Sequence, residues 1–135
     1  MIKQVADAVK AKFDANVALK GALTGGLWFT QAPQNVGFPY AVFYMLGGTR
    51  DEIMGTAEQC VKNVDVQINI FGNLRDGGSQ IAELSTLCTD CYNWVDLTVA
   101  DYSSVFVSPE GLPIIQCIDD VWQATCYYTI GVEKT

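Results

Sequence analysis

Two cysteines at CxxC spacing, Cys88-Thr89-Asp90-Cys91, are the first candidates for chemistry in this chain. In a thioredoxin-like enzyme such a pair opens a helix after a strand, where the helix dipole lowers the thiol pKa. Here the pair falls in the second half of a predicted helix, with apolar residues on both sides. That position favours packing over redox work. A zinc site would need a second pair, and Cys60, Cys117 and Cys126 supply none at metal-ligand spacing. Asp119-Asp120 is an adjacent carboxylate pair, but acid–base catalysis needs two carboxyls in contrasting environments. A turn between two strands accounts for the pair more simply. Gly77-Gly78-Ser79 precedes a helix, yet lacks the lysine and spacing of a phosphate-binding loop. Trp28, Trp94 and Trp122 lack the basic surroundings of a base-stacking platform. Histidine is absent, which removes the ordinary Ser–His and Cys–His arrangements and the commonest metal ligand. The expectation is a protein that is not an enzyme, with no cofactor and no metal.

Composition narrows the partners. The length of 135 residues suits a single domain spanning residues 1–135, and 50% hydrophobic with 17% charged residues suits a folded one. No apolar run approaches the ~20 residues that cross a bilayer. The opening MIKQVADAVKAKF is amphipathic and lacks the apolar centre of a secretory signal. Synthesis in the cytoplasm and no membrane partner are expected. Five cysteines, an odd number, suit a reducing compartment. The net charge of −7 is uneven: residues 1–63 hold six basic and five acidic side chains, residues 64–135 two basic and ten acidic. Such a carboxyl half repels a phosphate backbone. It either keeps the protein soluble or forms a surface that DNA passes without sticking.

The elements that must position these residues follow from periodicity. Ile2, Val5, Ala6, Val9, Phe13 and Val17 form one stripe of a helix over residues 2–18. Leu27–Thr30 reads as a short strand, and QAPQNVGFP as loop. The run FPYAVFYML is apolar on both faces: Tyr40, Val42, Tyr44 and Leu46 on one, Ala41, Phe43 and Met45 on the other. After a glycine-rich loop, residues 61–71 alternate cleanly, with Val64, Val66, Ile68 and Ile70 facing inward. The two runs predict a long hairpin projecting past the main sheet. A second helix begins near Ser79, burying Ile81, Leu84, Leu87, Cys88, Cys91, Trp94 and Val95. Strands over 104–107 and 112–118 follow, separated by the turn signal Ser108-Pro109-Glu110-Gly111. Residues 121–132 close the chain. The order predicts an α+β domain: a largely antiparallel sheet with a long hairpin, packed by the N-terminal and central helices.

A strand apolar on both faces needs cover on both, and so small a chain supplies the second cover with difficulty. A neighbouring copy is therefore expected to supply it. The expected interface is Tyr40, Phe43, Tyr44 and Met45 with Arg50, Asp51, Glu52 and Met54 of the loop, since loops carry function on rigid scaffolds. Glu110, Asp119 and Asp120 are expected as turn or lumen carboxylates.

With "FPYAVFYML", "GTRDEIMGTAEQC", "VKNVDVQINIFG", the helix near Ser79 and the closing "WQATCYYTIGVEK" in that order, the chain resembles the tail terminator, or tail completion, proteins of long-tailed bacteriophages. The resemblance implies a homo-oligomeric ring, commonly a hexamer, that caps the tail tube and ends its polymerisation. It implies partners in the tail tube protein and a head-completion or neck protein, with DNA passing transiently through the lumen. The location implied is the tail–head junction of a virion assembled in the host cytoplasm. The alternatives are another neck component (a head-completion stopper or adaptor), a non-viral cytosolic binding module such as a dimer, and a small-molecule or enzymatic domain using Cys88 and Cys91.

Overall fold

A computed structural model describes residues 2–51, 61–73, 75, 77–99 and 102–134. The elements run α1 (Ile2–Ala15), α2 (Val17–Ala22), β1 (Leu27–Phe29), β2 (Tyr40–Asp51), β3 (Val61–Asn73), α3 (Gly77–Tyr92), β4 (Asp96–Leu97), β5 (Tyr102–Pro109), β6 (Ile114–Ile118) and β7 (Val121–Lys134). The result is the α+β architecture expected, with a seven-stranded sheet in the order β1-β2-β3-β7-β5-β4 and β6 on β7. β1 joins β2 in parallel, and the other described pairs are antiparallel. The three helices cover one face of this sheet. Val5, Val9, Phe13, Leu19, Ile81, Leu84 and Cys88 meet Phe43, Val66, Ile68, Ile70, Cys126, Tyr128 and Ile130 in one core.

Local chemistry explains where the helices depart from the expected spans. The first helix breaks at Asn16, whose backbone is extended and whose side chain accepts from the Leu19 N–H at 2.9 Å. That is an N-cap, and it starts α2 on a new axis. Val17, expected on the buried stripe, is consequently 85% exposed. α3 ends at Tyr92, so Trp94 lies beyond it at φ 57 and is exposed. Tyr92 is buried in its stead, and its hydroxyl donates to the Val9 carbonyl at 2.8 Å, tying α3 to α1.

The long hairpin exists, but it does not project alone. β2 and β3 pair from Tyr40↔Phe71 to Asp51↔Val61, with an irregularity between Met45 and Gly48. β7 is as long as β3 and pairs with it over Val61↔Glu133 to Asn73↔Val121. The turn signal at Ser108–Gly111 does not reverse the chain. β5 pairs with β7 from Tyr102↔Lys134 to Pro109↔Tyr128, and β6 continues along the same side from Ile114↔Thr125 to Ile118↔Val121. Glu110–Pro113 is thus an interruption in one long course of chain. The true reversal is Asp119-Asp120, at φ 50 and φ 63. Positive φ at both central residues is the type I′ geometry that suits a twisted two-residue hairpin.

The second face of β2 finds its cover within the chain. Val42 is 4% exposed, beneath the loop of residues 30–36. Tyr40 stacks on Phe71 at 5.0 Å between ring centroids. The expectation that a neighbour must shelter this ribbon fails for Tyr40–Phe43. The loop carries no periodicity that would have announced it as a lid. Further along, Tyr44 and Met45 are half-buried and Leu46 is 54% exposed.

Candidate assembly surfaces

Three cysteines are sealed in the core, while Cys117 of β6 is exposed. Cys88, Cys91 and Cys126 are buried free thiols. Contact with the Cys126 thiol, together with burial, pushes the Cys88 thiol well above its ordinary pKa. Burial pushes Cys91 up as well. The hydroxyls of Tyr92 and Tyr128 are raised by burial. Neutral thiols without access to solvent are poor nucleophiles. The CxxC pair therefore works as packing between α3, α1 and β7: Cys91 Sγ sits 3.9 Å from the Lys12 carbonyl and Cys88 Sγ 3.8 Å from the Tyr128 hydroxyl. Among the described residues, no group of three metal-ligating side chains comes together.

The helix-free face of the sheet has a different character. Alternation places Asp65, Gln67 and Asn69 of β3 beside Thr129, Tyr127 and Thr125 of β7. Gln67 donates to Asn69 at 2.9 Å, and Thr129 bridges the carboxylates of Asp65 and Glu110. Among the described side chains of these strands, this face carries no lysine or arginine. It is a polar, weakly acidic wall, in which Asn69 and Thr125 are themselves buried.

The expected interface residues disperse. Phe43 is 1% exposed and stacks on Phe29 at 5.0 Å inside the subunit, so it offers nothing to a neighbour. Tyr40 and Tyr44 line a cavity of about 330 Å³ with Thr30, Gln31, Asn35 and Phe71. Met45 packs partly on the core. Arg50 and Asp51 lie on the backbone of β2, while Glu52 and Met54 fall outside the described residues. Glu110 faces the helix-free side, and Asp119 and Asp120 form the β6–β7 turn.

Sequence reasoning missed the most exposed apolar element. β6 is exposed at every position, with Ile114 at 52%, Ile115 at 40% and Ile118 at 46%, and Leu112 just before it at 88%. Its one described strand partner is β7. Isoleucine at consecutive positions was the available signal: a strand apolar on both faces, like the run 40–46, but with no loop beside it to act as cover. At the opposite margin, β1 borders a cavity of about 210 Å³ lined by Ala6, Asp7, Lys10, Leu27, Trp28, Phe29 and Phe43.

Comparison with solved structures returns a fold shared over the whole chain. A chain from a structure titled "Virion of native gene transfer agent (GTA) particle" superposes with a TM-score of 0.79, covering 98% of this chain and 96% of its own at 12% identity. A second solved chain superposes with a TM-score of 0.62, covering 100% of this chain and 97% of its own, again at 12% identity. At such identity the likeness is one of fold. No family model matches the chain, and no curated protein is significantly similar in sequence.

Proposed function

We propose that this chain is a structural subunit of a phage-like virion, assembling as a ring, commonly of six copies, on the end of the tail tube. In that position it ends tube polymerisation and presents the surface to which a head-completion or neck protein attaches. The observation that carries the reading is the near-complete superposition on a chain of a virion particle. The sealed thiols support it by removing the best candidate for chemistry. The helix-free sheet face is the wall we assign to the lumen. Lysine and arginine would grip phosphates and release counterions, whereas hydroxyls, amides and carboxylates let DNA slide past. Residues 49–59, expected from the sequence to be a loop, are the segment assigned to the axial partner, with Thr49–Asp51 closing β2.

The test is reconstitution with tail tube protein. Added at the start of tube polymerisation, the protein should yield short tubes, each closed by an annulus. Deleting part of residues 49–59 should leave a folded domain that no longer attaches. Tubes that grow to unlimited length with the protein free in solution would overturn the assignment. An annulus found on the portal side alone would instead favour the stopper or adaptor reading.

A further inference from the structure

Resting on the ring reading above, we infer that the subunits join by their sheet edges, β6 of one copy lying antiparallel beside β1 of a second copy. Three observations lead there. The first is level. Leu27 pairs with Ala41, Ala41 with Ile70, Ile70 with Ala124, and Ala124 with Ile115. β1 and β6 are thus the two ends of one row crossing the sheet, and strand directions along the row make β6 antiparallel to a β1 placed next to it. A copy added at one end continues the sheet and leaves the same edge free at the other end. Such a contact is heterologous, and it closes into a ring when the rotation allows.

The second observation is apolar fit. An open, exposed strand rich in isoleucine is a template for pairing with another chain. Ile115 and Cys117 lie on the helix side of β6, since they oppose Ala124 and Trp122. The cavity beside β1 opens on that same side, between α1 and Phe29, which is 40% exposed. An isoleucine arriving from the next copy finds the exposed side of Phe29 there, beside Ala6 and Leu27.

The third is charge. Lys10 lines the β1 cavity, and Asp14 is shared by Lys10 and Lys20 at 3.7 and 3.4 Å. Residues 2–30 hold four lysines against two aspartates, whereas residues 77–120 hold seven acidic residues and no basic one. The acidic Asp119-Asp120 turn ends β6. Opposite ends of one molecule that attract each other favour head-to-tail growth over face-to-face dimers.

The geometry also sets a size. The row crosses the strands β1, β2, β3, β7 and β6. Six copies place ~30 strands at ~4.8 Å around the ring, a circle at least ~46 Å across at the backbone. Side chains reaching ~5 Å from each wall leave ~36 Å between them, and the loop of residues 30–36, which lies on this same face over Val42, narrows that bore.

The experiment uses the exposed Cys117 of β6. In a Cys60→Ser background, Thr24→Cys places a thiol at the entrance to β1, and a short bifunctional thiol reagent is added to the assembled protein. A covalent ladder beyond the dimer is expected. It should vanish in Cys117→Ser and in Ile115→Lys, which brings a charge to the cavity beside β1, while Val17→Lys on α2, outside β1 and β6, keeps it. The Ile115→Lys variant should have the wild-type circular dichroism and the mass of a single chain. A wild-type multimer that gives no ladder, or that Ile115→Lys leaves intact, overturns the edge junction while sparing the ring. Crosslinking that stops at dimers overturns head-to-tail growth. A wild-type chain that is monomeric both alone and with tail tubes overturns the junction and the ring together.

Discussion

Phe43→Ala separates the two readings of the apolar ribbon. From the sequence, Phe43 is a candidate for contact with a neighbour. In the structure its ring is 1% exposed and stacked on Phe29 inside one subunit. Truncating a fully buried phenylalanine costs about 3–5 kcal/mol, as transfer energy plus the cavity left behind. The lost ring–ring contact contributes about 0.5–1.5 kcal/mol within that total. A domain of this size has about 7–20 kcal/mol to lose. The variant should therefore fold, with a melting temperature lower by about 10–20 °C. Urea denaturation at two protein concentrations a hundredfold apart is the assay. The loss should be the same at both, because the cavity opens within one chain. A loss below ~1 kcal/mol, or one that grows on dilution, would mean that the ring is covered by a second subunit and that the core assigned here is wrong.

Other outcomes follow from the same structure. A Cβ at Gly25 would collide with the Gly37 carbonyl oxygen and stand 2.7 Å from that of Pro39, whereas one at Gly21 meets nothing within 4 Å. Gly25→Ala should cost more than ~3 kcal/mol or abolish folding, while Gly21→Ala in α2 should stabilise by up to ~1 kcal/mol; thermal melts of the pair check this, and equal effects would contradict it. Stability should hold through neutral pH and fall as pH rises above about 9, by up to ~1.4 kcal/mol per pH unit for each group that stays protonated only when folded. The sign follows from the upward shifts at Cys88, Cys91, Tyr92 and Tyr128: the unfolded chain releases those protons first. Cys126, whose ionisation the Cys88 thiol favours, offsets part of the effect. Urea midpoints unchanged up to pH 11 would contradict the burial. In a Cys60→Ser background, a maleimide should label Cys117 at once on the unassembled chain, and Cys88, Cys91 and Cys126 on unfolding alone. Fast native labelling of Cys88 or Cys91 would reopen the case for redox chemistry.

Elements with a clean period were legible in the sequence. The stripe Val5, Val9 and Phe13 and the alternation Val64 to Ile70 both reach the core. Boundaries set by a single side chain were not. A helical stripe continues through Asn16 on paper, but a capped break redirects it and turns Val17 outward. A turn signal likewise does not distinguish a reversal from an interruption: Ser108–Gly111 carries one, yet the strand resumes on the same side of β7. Residues 30–36 show how a polar loop can cover an apolar strand with no pattern of its own. That loop moved the exposed apolar surface from the ribbon at Tyr40 to β6. The expectation of no catalytic site rests on residue types alone; what the structure shows is the burial of Cys88, Cys91 and Cys126.

Electron microscopy of the purified protein, alone and on tail tubes, addresses the ring most directly. Closed annuli at least ~46 Å across at the sheet backbone, set by strand spacing, are expected at the tube end, with the sheet face lining the channel and the helices outside. Particles that remain single chains in both samples, or annuli whose channel is lined by the helices, would contradict it.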